Sequence, residues 1–373
     1  MKIEYITLLN NSGYANAARA YIHRLHSLGH QVSVRSTYPE INPVLLDPRL
    51  ERDRVVAACI NRPSHDPPDL RIIHELPIAA NKGLFRKDGV PTLWVYAWEL
   101  SVLPPSYREI LAQADACATH SPFQVEVYRR DVGRDSITYL PHVDPPLPTR
   151  RKTVRNAEVF TFLSVFRWDE RKDPLTLIRA FLRTFSASER VRLLLKVNCV
   201  ESQQVLGTIQ ALARDSRLPG PLPEIRVNTD YLDSAQMEAL YLDADVFVSP
   251  TRAEGWGLCF HEALLNGLPC IYTDSPYVVR SFFDPSNSIP VPATDVYVRG
   301  SSFIEVTPGM VWSQVSDVAL GQAMRRAKED YDHLFHMPVD LAPGFRDEQA
   351  GLDARLQEAI TRCGATPIHG MLR

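Results

Sequence analysis

The stretch EGWGLCFHEA, residues 254–263, decides the fold because it joins two patterns of a parallel α/β sheet. Before it, residues 244–250 form a short apolar run that ends at a proline, which is typical of a strand covered on both faces. After it, apolar residues recur at helical spacing until Gly267 and Pro269, and residues 270–273 predict another strand. The segment therefore predicts a strand, a helix and a second parallel strand.

The same stretch predicts a ligand site at the start of its helix. In open α/β sheets, ligands bind beyond the carboxyl ends of the strands, where residues 254–257 are expected. Gly255 and Gly257 let a ligand approach the backbone, and a helix N-terminus offers N–H groups to an anion. Glu254 and Glu262 flank this position, so both can accept hydrogen bonds from sugar hydroxyl groups attached to a bound phosphate. The alternative is an ordinary acidic pair favoured by the helix dipole.

The spacing of Glu254 and Glu262, continued by residues 262–271, resembles the signature of retaining glycosyltransferases of family 4, the group 1 glycosyltransferases. The resemblance implies an α/β protein of the GT-B fold, with two Rossmann-like domains facing each other across a cleft and a C-terminal helix crossing back to the first domain. It also implies a catalytic role for Glu254. The residues that it places around the bound nucleotide sugar are Glu262, Gly255, Trp256, Gly257 and Leu258.

The domain boundaries expected from the sequence divide the chain into four parts. They are an acceptor-side domain over 1–148, a linker over 149–157, a nucleotide-sugar domain over 158–340, and a returning helix with its tail over 341–373. The segment 145–155 is rich in proline and then basic, which is typical of a solvated linker. The alternative is that its cationic cluster contacts a phosphate-bearing acceptor. The segment 276–314 is predicted to be irregular.

A second charged loop follows the strand predicted over 159–166. It contains Arg167 and Lys172. The arginine guanidinium can donate two hydrogen bonds to one phosphate and the lysine ammonium is a mobile positive charge, so the pair suits a diphosphate. The resemblance implies that these two cations neutralise the leaving nucleoside diphosphate and act with Glu254 in catalysis. Asn198 follows the strand over 191–197, where relatives have a glycine-rich turn, and we expect it near the nucleobase.

In the first domain, Gly13 follows the strand over 3–9, and the resemblance places it near the donor diphosphate. No G-x-G-x-x-G motif follows this strand, which argues against a dinucleotide-dependent oxidoreductase. His74, Trp98 and Glu99 end two further predicted strands and are expected on the acceptor side. The alternative for His74 is a structural role, in which it lies at a strand end and makes hydrogen bonds within the fold.

The segment 97–99 stands where many family members carry a histidine near the transferred sugar. Here a backbone carbonyl, Trp98 or Glu99 remains as the alternative contact, and core packing explains Trp98 equally well.

Composition limits the classes of binding partner and the cellular compartment that we expect. The formal net charge of the 373 residues is -3, so nucleic acid is not an expected partner. The 6 cysteines are scattered, and no apolar run approaches the length of a membrane span, so we expect a cytoplasmic protein with reduced thiols. Peripheral contact at the inner membrane face and the oligomeric state are left open.

The sequence predicts no metal site and no cofactor. Asp243-Ala244-Asp245 has the form of the D-x-D metal motif of another glycosyltransferase fold. We expect no metal there because the motif falls before a buried strand, away from its carboxyl end. GT-B enzymes generally release the diphosphate with protein cations.

The expected activity is transfer of a hexose-type sugar, with retention, from a UDP- or GDP-sugar to a hydroxyl of a glycan, lipid or small metabolite. One alternative is a scaffold that binds a nucleotide sugar without transfer. Another is a different GT-B enzyme, such as a nucleotide-sugar epimerase or a glycan phosphorylase. An epimerase would convert the donor without an acceptor, and the cofactor lysine context of a phosphorylase is not found in the sequence.

Overall fold

The computed structural model describes residues 1–10, 12–37, 50, 52–63, 67–144, 148, 150–155, 158–198, 200–215, 221–301, 305–336 and 338–364. The chain divides into two compact units. Unit 1 contains Met1–Trp98, Val102–Pro145 and Asp347–Arg373, and unit 2 contains Glu99–Ser101 and Pro146–Arg346. Parts of the predicted linker and the whole predicted tail, 366–373, lie outside the described residues.

Unit 1 is built on a parallel sheet with the strand order β2-β1-β3-β4-β5-β6. The strands are β1 Lys2–Thr7, β2 Gln31–Ser36, β3 Leu70–His74, β4 Thr92–Val95, β5 Ala116–Thr119 and β6 Ile137–Tyr139. Its first four α-helices are α1 Gly13–Ser27, α2 Arg54–Ile60, α3 Pro105–Leu111 and α4 Pro122–Val132, and a 3-10 helix spans Ala79–Leu84. Because β2 and β3 lie on opposite sides of β1, the strand order reverses at β1 and β3.

Unit 2 has its own sheet, with the order β13-β12-β11-β10-β7-β8-β9. The strands are β7 Phe160–Arg167, β8 Val191–Asn198, β9 Glu224–Asn228, β10 Val246–Ser249, β11 Cys270–Asp274, β12 Ser288–Tyr297 and β13 Val311–Val315. The helices are α5 Pro174–Thr184, α6 Ser202–Asp215, α7 Ser234–Asp243, α8 Leu258–Leu265, α9 Asp317–Glu329 and α10 Tyr331–Leu334, with a 3-10 turn over Glu170–Lys172. All pairs are parallel except β12 with β13, and the order reverses between β7 and β10.

The end of the chain confirms the predicted return to the first domain. After α11 Pro343–Ala350, the last helix, α12 Leu352–Arg362, belongs to unit 1. Its buried side chains Leu356 and Ile360 join the same hydrophobic cluster as β1 and β3. The two Rossmann-like units and this returning helix confirm the predicted fold class. No helix in the described parts of the chain is long and apolar enough to cross a bilayer.

The prediction of an irregular segment over 276–314 was wrong, because β12 and β13 form an antiparallel pair at the edge of the sheet. Pro290 and Pro292 misled the prediction, since proline cannot donate to a strand ladder. These prolines pair with β11 on one side, and the pairing of β12 with β13 begins only at Ala293. The missing N–H groups can therefore face the side of β12 that carries no strand pairing at that point.

The expectation of a solvated basic linker was also wrong for Arg151 and Lys152. Arg151 Nε donates to the carbonyl of Leu265 (2.8 Å), at the C-terminus of α8, where cations stabilise the helix end. The Lys152 side chain is 8% exposed, and its Nζ lies 3.3 Å from the buried Asp245 carboxylate. This segment is therefore packed against the helix that follows the 254–257 stretch.

Gly267 provides a test of this packing. Its φ is +84°, and a Cβ there would lie 2.6 Å from the carbonyl oxygen of Lys152. Gly267→Ala should therefore lower the free energy of unfolding by at least about 2 kcal/mol in urea titrations. Gly300→Ala is the matched control, because a Cβ there would meet no atom within 4 Å. Equal stability of the two variants would contradict the packing described.

Candidate active site

Two loops of unit 2 meet where its strand order reverses. One, 168–173, follows β7, and the other, 250–257, follows the neighbouring β10. The backbone N–H of Arg252 donates to the carbonyl of Arg171 (2.8 Å), which joins the two loops directly. Ligands of open α/β sheets bind at such a reversal, so these switch-point loops form the candidate site.

Glu254 is the carboxylate at the centre of the candidate site. It is 8% exposed. Its Oε1 accepts from Lys172 Nζ, and its Oε2 lies 3.2 Å from Arg171 Nη1. Burial raises the pKa of Glu254, but the charges of Lys172 and Arg171 outweigh burial and hold this pKa below its ordinary value. Its backbone N–H donates to the carbonyl of Tyr277 (2.8 Å), which fixes the loop at this residue.

Arg171 is a member of the site that the sequence did not reveal. Its Nη1 donates to the carbonyl of Ala253 (2.6 Å) as well as to Glu254, and its Nη2 lies 3.6 Å from Glu99 Oε1. Burial lowers the pKa of Arg171, but Glu99 and Glu254 raise it above its ordinary value. It stands in a loop crowded with charges, where the spacing singled out Arg167 and Lys172 instead.

Glu99 was predicted on the acceptor side of the first domain, at the end of a strand over 92–99. The strand β4 ends earlier, at Val95, and Glu99–Ser101 belongs to unit 2. Burial raises the pKa of Glu99, Arg171 lowers it and the nearby Glu254 raises it, with a net increase. Glu99 therefore shares one guanidinium with Glu254, and its acceptor-side role stays a prediction.

Asp173 and Arg252 hold the shape of the two loops. Asp173 has φ 49°, and it is the one non-glycine residue with positive φ in the described ranges. Aspartate tolerates this left-handed conformation better than most residues. Its Oδ2 lies 3.1 Å from Arg252 Nε, and the Arg252 guanidinium lies 5.1 Å from the ring centroid of Trp312 on β13. The hairpin that the sequence missed therefore supports the loop that carries Glu254.

The helix α8 begins directly after the second loop. Gly257, at its N-cap, has φ 98°, and a Cβ there would lie 3.2 Å from the Phe260 ring. No side chain of the described residues caps the N-terminus of α8, so its first N–H groups can serve a ligand. Gly255 lies two residues before this N-cap and Leu258 directly after it, and their donor contacts stay predictions.

Trp256 requires a correction. Its indole is 3% exposed, stacks edge-on with Phe282 and packs beside Phe345. Aromatic area of this kind stabilises a core. The side chain is therefore a core residue, and a donor contact at Trp256 stays a prediction that only its backbone could meet.

The other predicted donor residues lie around the same strand ends. Glu262 is on α8, where its Oε2 accepts from the Tyr241 hydroxyl (2.9 Å). The side chain of Arg167 is 40% exposed, and its Nε lies 3.0 Å from Asp169. Asn198 ends β8, next to Arg167 on β7, and its Oδ1 accepts from the buried Lys196 (2.7 Å).

The predicted residues of unit 1 lie at its own strand ends. His74 ends β3 and is buried. Its Nδ1 lies 2.8 Å from the Tyr5 hydroxyl, and burial lowers its pKa well below the ordinary value. Trp98 is wholly buried against Tyr107, and its Nε1 donates to the carbonyl of Val102 (3.1 Å), so its ring is a core element and provides no exposed platform. Gly13 begins α1 and is exposed.

The D-x-D motif has a structural explanation. Asp245 is wholly buried, accepts from the Thr161 N–H (2.8 Å) and lies 3.3 Å from Lys152 Nζ. Within the described part of the chain, no cluster of three or more His, Cys, Asp or Glu side chains is arranged to hold a metal ion.

The charge state of Glu254 gives a test based on acid stability. Because its pKa is lowered in the folded state, its stabilisation is complete above the pKa of the unfolded chain and is lost as pH falls through the folded value. Glu254→Gln should cost about 2 kcal/mol at pH 7, and the difference from the wild type should shrink toward pH 3. Urea titrations across this range measure it, with the exposed Glu201→Gln as control. A pH-independent difference would show that folding does not lower the pKa of Glu254.

Solved structures that are similar to this chain place it in a fold class. Anabaena HepE in complex with UDP and glucose has a TM-score of 0.62 at 14% identity, covering 97% of this chain and 99% of that one. Sucrose-phosphate synthase from Thermosynechococcus elongatus has a TM-score of 0.62 at 17% identity, covering 96% of both chains. WaaG, a glycosyltransferase involved in lipopolysaccharide biosynthesis, has a TM-score of 0.58 at 14% identity, covering 97% and 100%. The chain has the GT-B fold of these glycosyltransferases.

A narrower match comes from the sequence of unit 2. Residues 157–297 match the model of the family described as glycosyl transferases group 1. This segment contains both switch-point loops and α8, and it covers less than half of the 373 residues. No curated protein sequence matches the chain.

Proposed function

We propose that this protein is a retaining, metal-independent glycosyltransferase of family 4. It moves a hexose-type sugar from a nucleoside-diphosphate sugar to a hydroxyl group of a glycan, lipid or small metabolite. The observation that carries the proposal is the Glu254 carboxyl group, held by Lys172 and Arg171 beside the N-terminus of α8 where the strand order of unit 2 reverses. The group 1 glycosyltransferase match over 157–297 covers all of these residues.

Each charged group then has a part in transfer. Arg167, Lys172 and the first N–H groups of α8 stabilise the negative charge that builds on the leaving diphosphate. Glu254 accepts hydrogen bonds from donor-sugar hydroxyls. Glu262 accepts from the ribose, because a carboxylate fixed by Tyr241 at one oxygen retains further acceptor sites.

The retaining course is proposed from the resemblance of residues 254–271 to the signature of retaining glycosyltransferases. The sequence offers no side chain identified as a covalent nucleophile for the opposite face of the sugar. Same-face attack, assisted by the leaving phosphate, therefore fits the assigned residues. The acceptor would reach the sugar while water is excluded, since water otherwise hydrolyses the donor.

The donor class is tested by a thermal-shift panel of UDP, GDP, ADP and their common hexose conjugates. The melting temperature should rise with one nucleotide and rise further with its sugar conjugate. UDP is the first choice because the HepE structure contains UDP and glucose. No shift with any compound would contradict the proposal. A shift without transfer to any acceptor and without donor hydrolysis would favour the scaffold, and acceptor-free conversion of the sugar would favour an epimerase.

Glu254→Gln should lower turnover by about 100-fold or more, because it replaces a charged acceptor of the sugar hydroxyls by a neutral one. Donor hydrolysis and transfer are both measured at a temperature at which a melting curve of the variant, recorded first, shows it to be folded. Glu201→Gln is again the control. Wild-type turnover in Glu254→Gln would contradict the assigned role.

Turnover after removal of metal ions distinguishes the proposed metal-independent transfer from metal-assisted transfer. Turnover after dialysis against EDTA should equal that of the untreated enzyme, because the D-x-D motif of residues 243–245 is engaged through Asp245 with Lys152 and Thr161. Loss of turnover that returns with Mg²⁺ or Mn²⁺ would contradict metal independence.

A further inference from the structure

Two cations hold one carboxylate in the candidate active site. Lys172 Nζ contacts Glu254 Oε1, and Arg171 Nη1 lies 3.2 Å from Glu254 Oε2. The proposed function, on which this inference rests, requires Lys172 to contact the diphosphate of the donor. A lysine that turns to the diphosphate must give up much of its contact with Glu254, so another group has to hold that carboxylate.

We propose that Arg171 is a positioning residue that keeps the Glu254 carboxylate at the donor sugar when Lys172 turns to the diphosphate. Arg171 touches neither the sugar nor the phosphate in this account. Arg171 acts through Glu254. Recognition of the sugar therefore depends on a residue that the sequence analysis did not predict.

The contacts of Arg171 suit it to this role better than those of its neighbours. Its Nη1 also donates to the carbonyl of Ala253 (2.6 Å), the residue before Glu254, so one guanidinium fixes both the backbone and the side chain of the loop. The carbonyl of Arg171 accepts from the Arg252 N–H (2.8 Å), which fixes Arg171 itself. The planar fork of arginine allows several simultaneous contacts, whereas a lysine is a single mobile charge.

The burial of Arg171 also indicates that it holds Glu254, while Arg167 and Lys172 are left to bind the diphosphate. The Arg171 side chain is 14% exposed, against 40% for Arg167, which ends β7 just before this loop. Arg167 is therefore the more accessible cation for a ligand phosphate. Arg171 is engaged inward, with Glu254 and with Glu99 at 3.6 Å.

Removal of Arg171 changes the electrostatics around Glu254 in a defined direction. The charged and titratable groups that act on Glu254 and Glu99 here are Lys172, Arg171, Asp169, Glu99, Glu254 and Cys259. Without Arg171, Lys172 is the main remaining cation near the Glu254 and Glu99 carboxylates, each of which disfavours the charged form of the other. The pKa of Glu254 should then rise, most strongly once the diphosphate has taken Lys172.

The test compares Arg171→Met, Arg171→Lys, Glu254→Gln and the double variant Arg171→Met/Glu254→Gln with the wild type. The probes are UDP and UDP-glucose, or the GDP or ADP pair if the thermal-shift panel selects it. Arg171→Met should bind the nucleoside diphosphate as the wild type does and lose about 10-fold of the additional affinity given by the sugar. The double variant should bind the sugar conjugate no more weakly than Glu254→Gln alone, because Arg171 acts through Glu254.

The pH profile of kcat/KM gives a second readout. Its shape would not change if Arg171 had only a structural role. Its acid limb should shift to higher pH in Arg171→Met and stay near the wild-type position in Arg171→Lys, which keeps the charge. Arg171→Lys should restore only part of the sugar-dependent affinity, since it cannot reach both Ala253 and Glu254 with one fork. Arg325→Met is the matched control, because it breaks the Arg325 to Glu189 ion pair (2.6 Å) elsewhere in unit 2. It should keep the wild-type profile.

The outcomes separate this inference from the proposed function. A wild-type protein that binds no nucleotide or nucleotide sugar overturns the proposed function and this inference with it. A wild-type protein with sugar-dependent affinity, together with an Arg171→Met variant that keeps the full gain and the wild-type acid limb, overturns the inference alone. Additive losses in the double variant also overturn it. If Arg171→Met fails to fold, full sugar-dependent affinity in Arg171→Lys is the overturning result.

Discussion

The candidate site depends on the ion pairs that Lys172 and Arg171 make with the buried Glu254. A carboxylate with 8% exposure is tolerated only when charges and hydrogen bonds replace the water that it has lost. Those cations follow β7, and Glu254 follows β10, about 80 residues further along the chain. They meet because the reversal of strand order makes β7 and β10 neighbours. The topology of the sheet thus creates the charge cluster, and the cluster in turn fixes two loops at the place where such sheets bind ligands.

The backbone around these ion pairs is shaped by a small number of special conformations. Asp173 has a positive φ at the end of the first loop, and Gly257 has one at the end of the second. Such conformations persist where the surrounding contacts determine them. Arg252 supplies contacts on one side by joining Asp173 to Trp312, while Arg151 holds the far end of α8 through the carbonyl of Leu265. The helix that begins at the site is therefore fixed at both of its ends.

Local patterns predicted the parts of the site that lie next to regular elements. The strand, loop and helix around Glu254 were predicted from an apolar run, a glycine turn and a helical period, and the positions of Arg167 and Lys172 followed from the strand before them. The bonding partners were not predictable in the same way. Arg171 is one of several charges in a short loop, and only the folded path of the loop shows that its guanidinium points to Glu254.

The errors of the sequence analysis have physical causes that concern tertiary contacts. Pro290 and Pro292 argued against a strand, but β12 has a side without pairing at that point and accepts them. Lys152 resembled a solvated residue until the buried Asp245 provided a partner. Trp256 stood between two glycines expected to touch a ligand, yet its indole fills the core beside Phe282. In each case a partner distant in sequence decided the outcome.

The charge balance of the loops also bears on what kind of ligand the site favours. Residues 167–173 contain three cations and three carboxylates, and Arg252 and Glu254 add one of each. The site is therefore neutralised internally, and a bare anion that binds Lys172 must break an existing ion pair for each one it forms. A ligand that joins an anion to hydroxyl groups avoids most of this cost, because its hydroxyls can donate to the carboxylate that the lysine has left. On the proposed function, such a site would discriminate in favour of a sugar attached to a diphosphate and against free phosphate, without the strongly basic surface that a simple anion site needs.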